Sequence, residues 1–515
     1  VGCDYLYGNI SEYDLLVVEI DQKTSGTTIV KVETNAFSTV NIVGSMKHLN
    51  VLVGVVLLVS FQSHAQDQWW NELRPKVVVD DSSFTRTLKE AMSESSVHGV
   101  AIATTESGQI KSSEVFFNSE DGLSAPAEGI EHRMQAGSIS KTVAALGLLV
   151  LVEKSDAISL DDPVNKHLKS WKVSETLFNQ PITIRQLLSH TAGLNAHGFP
   201  GYKSIKKAAS LKEVLSGDGN TEAIVPIFPP DSIWKYSGGG YEVLQMMLED
   251  VTGMTFAEYL QKEVLTPLKM TNSTYELLTE EACPTCAFAY TEKGKRYKAG
   301  WYQYPESAAA GLWTTAEDLS TFFIHLGKIY EGETGVISSE MLKEMITPVK
   351  NNYGFGLFIE ERDNGFYIGH SGKNMGFTNE ALFNLKTQNG VVVLTDSDMG
   401  FGVIREIENS VPGEDKWLQG EQIVIHKIEV SDESQEKYIG KYTVKGPSGN
   451  EHEANVQFKK GTLTATDPRS GRINVLIPEG EGVYRERRGG TQVGFITKDG
   501  MMYMNWGGSI QFQKQ

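Results

Sequence analysis

The chain is poor in the residues that several chemistries require. Its three cysteines among 515 residues, Cys3, Cys283 and Cys286, give one close pair in the tetrapeptide CPTC and no spaced set suited to zinc. No His-Glu-x-x-His pattern occurs either, so no metal and no cofactor are expected. Basic residues are outnumbered, 47 Lys and Arg against 65 Asp and Glu, and the formal charge is −18. A phosphate backbone would be repelled rather than neutralised, which excludes nucleic acid as an expected partner. The apolar run from Leu49 to Phe61 is too short to span a bilayer as a helix, and no low-complexity tract or long-period repeat is seen.

What is present begins with that run. Residues 46–65, MKHLNVLVGVVLLVSFQSHA, have a basic start, an apolar middle and small residues before Gln66, the pattern of a secretory signal peptide cut after Ala65. An uncleaved anchor is the alternative. Residues 1–45 lack an initiator methionine and show no clear helix or strand pattern, and are read as a segment upstream of the natural start. The mature chain is then expected to be periplasmic or secreted, with no membrane span. In that oxidising setting Cys283 and Cys286 are candidates for a small loop-closing disulfide.

Two rhythms follow. His98–Thr105 and Glu114–Phe117 read as strands around a Ser107-Gly108 turn, and Tyr241–Val251, Phe256–Leu268 and Thr314–Leu326 read as helices from their three- and four-residue apolar spacing. Thr315 with Asp318 suggests a capping box. From Tyr353 four strand-like segments separated by glycine turns return, so an α+β domain over 66–425 is expected, its first strands pairing with its last around an α-rich region. Residues 430–515 are short alternating strands throughout and imply a second, all-β unit, a small barrel or sandwich.

The chemistry gathers at Gln135–Leu151, QAGSISKTVAALGLLVL. A helix starting near Ser138 sets Ser138 and Lys141 on one face, one turn apart. A serine hydroxyl needs a neighbour to take its proton, and burial in the apolar stretch behind Lys141 lowers an amine's pKa toward that role. The spacing alone is weak, since Ser204/Lys207, Ser232/Lys235 and Ser434/Lys437 repeat it, and a plain helix cap is the bland alternative. Two other stretches complete a site. Tyr236, before Ser237-Gly238, offers a phenol as base or proton relay. Gly369-His370-Ser371-Gly372 allows close approach of a ligand to a strand, and the N–H of Lys373 pairs with that of Ser138 as an oxyanion hole. The fifth position of a Gly-x-Ser-x-Gly elbow is Lys373, so the α/β-hydrolase reading is rejected.

The ordered series AGSISKT, LDDPV, ITIRQLLSHTAGL, YSGGGYEVLQMMLEDVTG, LTPLKM, AAAGLWTTAEDL, YGFG and GHSGKNMGF resembles the serine β-lactamase-related superfamily. That group comprises class C β-lactamases, penicillin-binding DD-peptidases, family VIII carboxylesterases and D-aminopeptidase-like enzymes. The resemblance covers about His98 to Ser397. It implies a β-lactamase/DD-peptidase-like antiparallel sheet flanked by helices, with Ser138 as acylated nucleophile, Lys141 as its proton partner, Tyr236 as the second-motif tyrosine, and His370 with Gly372 in the third motif. The C-terminal unit resembles the lipocalin-like β-domain of some members. Gly238 stands where lactamases carry an amide-binding asparagine, and His370 where they carry a carboxylate-binding lysine; both changes weaken lactam recognition and leave acyl transfer intact.

The sequence therefore leads to an exported serine hydrolase acting on a small-molecule ester, lactam or peptide-like acyl substrate, with a carboxylesterase for short acyl esters foremost. A β-lactamase, a D-Ala-D-Ala carboxypeptidase or a D-aminopeptidase-like peptidase is the enzymatic rival, and a non-catalytic binding protein the rival of another class. Replacing Ser138 by Ala is expected to lower the rate of acyl transfer about a thousandfold or more; a variant of near wild-type rate in a steady-state assay would refute the assignment of the nucleophile.

Overall fold

The computed structural model describes residues 17–22, 28–33, 39–44 and 69–515, apart from short stretches at 75–76, 80–84, 119–131, 176, 414, 416, 418–422, 446–450, 460, 467–472, 488 and 509. The 46–65 segment lies outside the described residues. Two compact units are present, 1–69 and 70–515. The first carries three antiparallel strands, Val17–Gln22, Thr28–Glu33 and Thr39–Gly44. This corrects the sequence reading of residues 1–45 as patternless. Each strand is a short run rich in Val, Ile and Thr, types that favour extended backbone.

The second unit is built on a six-stranded antiparallel sheet. Its order is Gln109–Phe117, Gly99–Glu106, Asn389–Thr395, Phe377–Asn384, Gly365–Asn374, Phe358–Arg362. The early strand Gly99–Glu106 lies between its hairpin partner and the late strand Asn389–Thr395, with Ile102 opposite Val393. The sheet therefore closes only when both ends of the domain meet. The final strand begins at Phe358 rather than Tyr353, because Tyr353 to Leu357 turns instead of extending.

Helix Ser140–Lys154 is apolar on every side, and its residues from Ser140 to Val152 are all buried. A helix of that kind belongs in a core rather than on a surface. It begins two residues later than the sequence suggests, because a short 3₁₀ turn, Gly137–Ile139, precedes it. Helix Gly238–Thr252 starts on a Ser237 side chain that accepts from Gly240 N–H and stops at Gly253 in a left-handed conformation. The helix expected over Phe256–Leu268 is an α-turn, Phe256–Leu260, running into a π-turn, Gln261–Leu265. Helix Ala316–Tyr330 is capped by Thr315, which accepts from Asp318 N–H. The reciprocal half of that box is missing, because the Asp318 carboxylate instead accepts from Asn272 N–H and Ser273 Oγ–H.

Residues Gly440–Lys514 form a closed eight-stranded barrel. Its interior is filled by Tyr442, Tyr484, Val493, Phe495, Met504, Trp506 and Phe512 among others. Ile477 of the barrel joins Val77 and Ile425 in a separate apolar cluster at a short parallel strand pair. Among the described residues no helix is long and apolar enough to cross a membrane.

Candidate active site

Ser138 sits in the 3₁₀ turn, half-buried, at the head of the buried helix. Gly137 before it has a φ of +56°, a region that disfavours side chains, and a Cβ there would lie 2.5 Å from the backbone N of Lys373. On the facing strand a Cβ at Gly372 would lie 1.9 Å from Ala136 O and 3.2 Å from Ser138 N. Backbone meets backbone here, and only glycine permits it. Asn374 and Asn379 hold the contact by donating their amides to Gln135 Oε1, Ala310 O and Gln135 O.

Lys141 is 2 % exposed. Its Nζ lies 3.0 Å from Ser138 Oγ and donates to Ala309 O at 2.8 Å. Burial drives the amine down to about 7, against a partial pull upward from the Glu242 carboxylate. Nζ thus donates to both oxygens; a neutral amine at the same 3.0 Å has a lone pair with which it can accept the serine proton.

The Lys141 ammonium position lies 5.0 Å from the centre of the Tyr236 ring. Burial pushes the Tyr236 phenol well up, while a hydrogen bond with Ser138 pulls it partly back. Burial thus favours the neutral hydroxyl of Tyr236, a state that suits a proton relay better than a phenolate base. His370 is the next link. Its Nδ1 lies 2.5 Å from Ser371 O, so Nδ1 carries the proton, and Nε2 accepts from Tyr353 O–H at 3.2 Å with the Tyr236 hydroxyl at 3.5 Å. Burial and the charge of Lys141 lower this imidazole to about 3. His370 is neutral and an acceptor here, in no position to act as a cation.

The strand bearing His370 has an open edge. Its pairing with Phe358–Arg362 ends at Gly369 opposite Phe358, whereas the pairing on its other side continues to Asn374. Ser371 O is used by His370, and strand alternation sends the Lys373 N–H to the same edge, toward the Ser138 turn. The Lys373 side chain itself is exposed and donates to Asp398 O. Alternation also places the Ser371 side chain on the face opposite His370 and Gly372, so Ser371 contributes its carbonyl rather than its hydroxyl. Gly238 heads its helix one residue beyond Ser237 and presents no polar side chain. Cys283 and Cys286 are disulfide-bonded and buried, and Ala287 N–H just beyond donates to Arg133 O on the approach to Ser138.

Several neighbours escaped the sequence reading. His190 clamps Tyr236 from both sides: Lys235 N–H donates to its carbonyl at 2.9 Å and Ser237 N–H to its Nδ1 at 3.2 Å. Its ring lies 4.3 Å from that of Tyr236, and burial keeps it neutral. A φ of +60° at His190 was not visible in the motif SHTAGL. Glu242, the fifth residue of the helix that begins at Gly238, accepts from Ala309 N–H at 3.1 Å, tying down the residue whose carbonyl holds Lys141. Glu306 is wholly buried with both carboxylate oxygens unpartnered and is pushed up to about 7. Among the described residues no group of His, Cys, Asp and Glu is arranged to hold a metal ion.

The family model described as Beta-lactamase matches residues 84–405. Among curated relatives, the protein flp of Staphylococcus aureus strain N315 is 24% identical over 299 residues, which is 56% of this chain and 58% of the relative. The chain thus spans a little over half the length of the curated relatives it matches. Among solved structures, the octameric penicillin-binding protein homologue from Pyrococcus abyssi is 22% identical with a TM-score of 0.52, covering 82% of this chain and 98% of its own. A D-stereospecific amidohydrolase from Streptomyces sp. is 22% identical with a TM-score of 0.50, covering 64% of this chain and 98% of its own. At these identities the two structures speak to the fold alone.

A base role for Lys141 would carry its own pH dependence. Since only the free amine accepts a proton, kcat/KM for a neutral acyl substrate is expected to rise about tenfold per pH unit below 7 and to level off above it, as the amine held at about 7 deprotonates. Glu306 titrates in the same range, so the profile is measured for Glu306→Gln as well; a limb that survives this change belongs to Lys141, and one that vanishes does not.

Proposed function

Because the chain belongs to the beta-lactamase family, we propose that it is a serine hydrolase that works through an acyl-enzyme on Ser138. The observation that carries this reading is the buried Lys141 amine, held 3.0 Å from the Ser138 hydroxyl and brought down to about 7 by its surroundings. As Oγ attacks the acyl carbon, Lys141 takes the Ser138 proton. The N–H groups of Ser138 and Lys373, on facing segments, receive the negative charge that develops on the carbonyl oxygen. The Tyr236 hydroxyl passes a proton to the leaving group and takes one back from the Lys141 ammonium, so the serine proton ends on the leaving group, and His190 holds the phenol in place. Water then enters and attacks the acyl-serine with the same groups in reversed roles.

The substrates are esters of short acids. The support is electrostatic: a β-lactam or a D-Ala-D-Ala peptide brings a carboxylate, and the third-motif residue His370 is a neutral acceptor rather than a cation. Gly238 likewise offers no amide to an amide-bearing acyl group. Hydrolysis of lactams or D-amino-acid peptides is the second enzymatic reading, favoured by family membership itself. A non-catalytic binder has no use for an activated serine. We also propose that the chain is exported, from the signal-like segment 46–65 and a disulfide that suits an oxidising compartment.

Parallel assays with a chromogenic short-chain ester and a chromogenic cephalosporin test the preference. The expected result is a kcat/KM ratio in favour of the ester, and a ratio in favour of the cephalosporin would overturn it.

A further inference from the structure

Gly238 has no side chain, and the space a side chain would take is filled. A Cβ built there would lie 2.9 Å from Phe199 Cε2, 3.2 Å from His197 O and 3.5 Å from the Ala309 Cβ. Ala309 is the residue whose carbonyl holds the Lys141 amine. The Phe199 ring and the Ala309 methyl therefore flank the same Cβ-sized space over Gly238. Its seat is fixed by three hydrogen bonds between the 196–199 segment and the helix start: Ser237 Oγ–H donates to Ala196 O at 2.9 Å, Gly239 N–H to Ala196 O at 3.2 Å, and Gly238 N–H to His197 O at 3.1 Å. Ala196 packs on the same start, since a Cβ at Gly239 would meet its Cβ at 3.2 Å.

The chemistry of this wall is uniform. Phe199, Gly238 and Ala309 contribute no polar side-chain atom. His197 keeps one edge in solvent while its ring lies 5.0 Å from the Tyr236 ring; the partial desolvation of that ring and the charges of Lys141 and Lys235 favour its neutral form. Phe199 is half-buried and packs against the main core, so part of its ring remains open.

We propose that Phe199 sets the acyl-group specificity: seated on Gly238, its ring forms an apolar wall beside Lys141 that accepts short apolar acyl chains and blocks longer ones. The proposal rests on the acyl-transfer reading above and adds the residue that shapes the acyl subsite. It also explains the glycine. A side chain at position 238 would press its Cβ on the Phe199 ring at 2.9 Å and on His197 O at 3.2 Å, so an asparagine there displaces the ring and the two positions act as one unit.

The test uses p-nitrophenyl alkylphosphonates of the full chain, with methyl, butyl and octyl groups on phosphorus. In each, the Ser138 Oγ–P bond forms, p-nitrophenolate leaves, and the serine proton passes to Lys141, so labelling is read by intact mass without any need for turnover. The wild type is expected to favour butyl over octyl. Phe199→Ala, and less so Phe199→Leu, is expected to raise the octyl-to-butyl rate ratio by about tenfold, the scale on which a hydrophobic pocket discriminates by chain volume. Gly238→Asn is expected to slow labelling by every probe, and Phe199→Ala combined with Gly238→Asn to recover it. A loss of folding would depress all probes equally, leaving the ratio as the deciding quantity. An unchanged ratio in both Phe199 variants overturns the proposal. A wild type that is labelled yet turns over no ester would end the esterase reading, while the ratio would still decide the wall; a wild type that takes no label contradicts both.

Discussion

A lysine amine with almost no access to water, held between a serine hydroxyl and a backbone carbonyl, is the constraint on which the site depends. Putting an ammonium ion in such a place is costly unless it is paired or loses its proton. The nearby carboxyls do not pair it directly: Glu242 is itself buried and pushed well up, and its Oε1 is taken by Ala309 N–H. The amine is left with a lowered affinity for its proton, which is the property a base for Ser138 needs. The apolar helix Ser140–Lys154 creates this environment, and its position is fixed because it is covered on all sides. Fold and reactivity thus share one cause.

The same burial makes the rest of the crevice electrically quiet. His190, His197 and His370 are all shifted toward their neutral forms, and Tyr236 and Tyr353 are held as hydroxyls. Lys141 is the one amine among these groups, and its own affinity for a proton is lowered as well. The arrangement can pass a proton from Ser138 through Lys141 and Tyr236 with His370 behind them, and its third-motif residue, His370, offers no positive charge to an anionic substrate. Selectivity then falls to shape, which is why Gly238 and the ring packed on it matter.

Much of this was legible in the sequence, for identifiable reasons. The eight segments between Tyr438 and Gln515 have short alternating patterns bounded by turn residues, and each became a strand of the closed barrel. Ser138 and Lys141 are three residues apart, so local geometry alone brings them together. Tyr236 and His370 stand out by their neighbouring glycines. His190, Tyr353, Glu242 and Phe199 did not stand out, because what they do depends on distant partners. Nothing local says that a histidine in SHTAGL will clamp the backbone on either side of Tyr236, or that a phenylalanine in HGFPG will fill the place of a missing side chain at position 238. Burial was likewise invisible for Tyr236: it acts on both members of the Lys141–Tyr236 pair, lowering the amine and raising the phenol, which disfavours a phenolate. The half-formed cap at Thr315 shows the same pattern, with Asp318 drawn to Asn272 and Ser273 instead.

The account stands on the protonation of one amine. ¹⁵N-lysine NMR of the full chain across a pH series, with the resonance identified by its loss in Lys141→Arg, measures that directly. The expected midpoint for Lys141 is near 7, well below the value of about 10.4 for a lysine free in water. A Lys141 resonance that titrates near that free value would mean the amine is a permanent cation at neutral pH, and the proposed activation of Ser138 would be wrong.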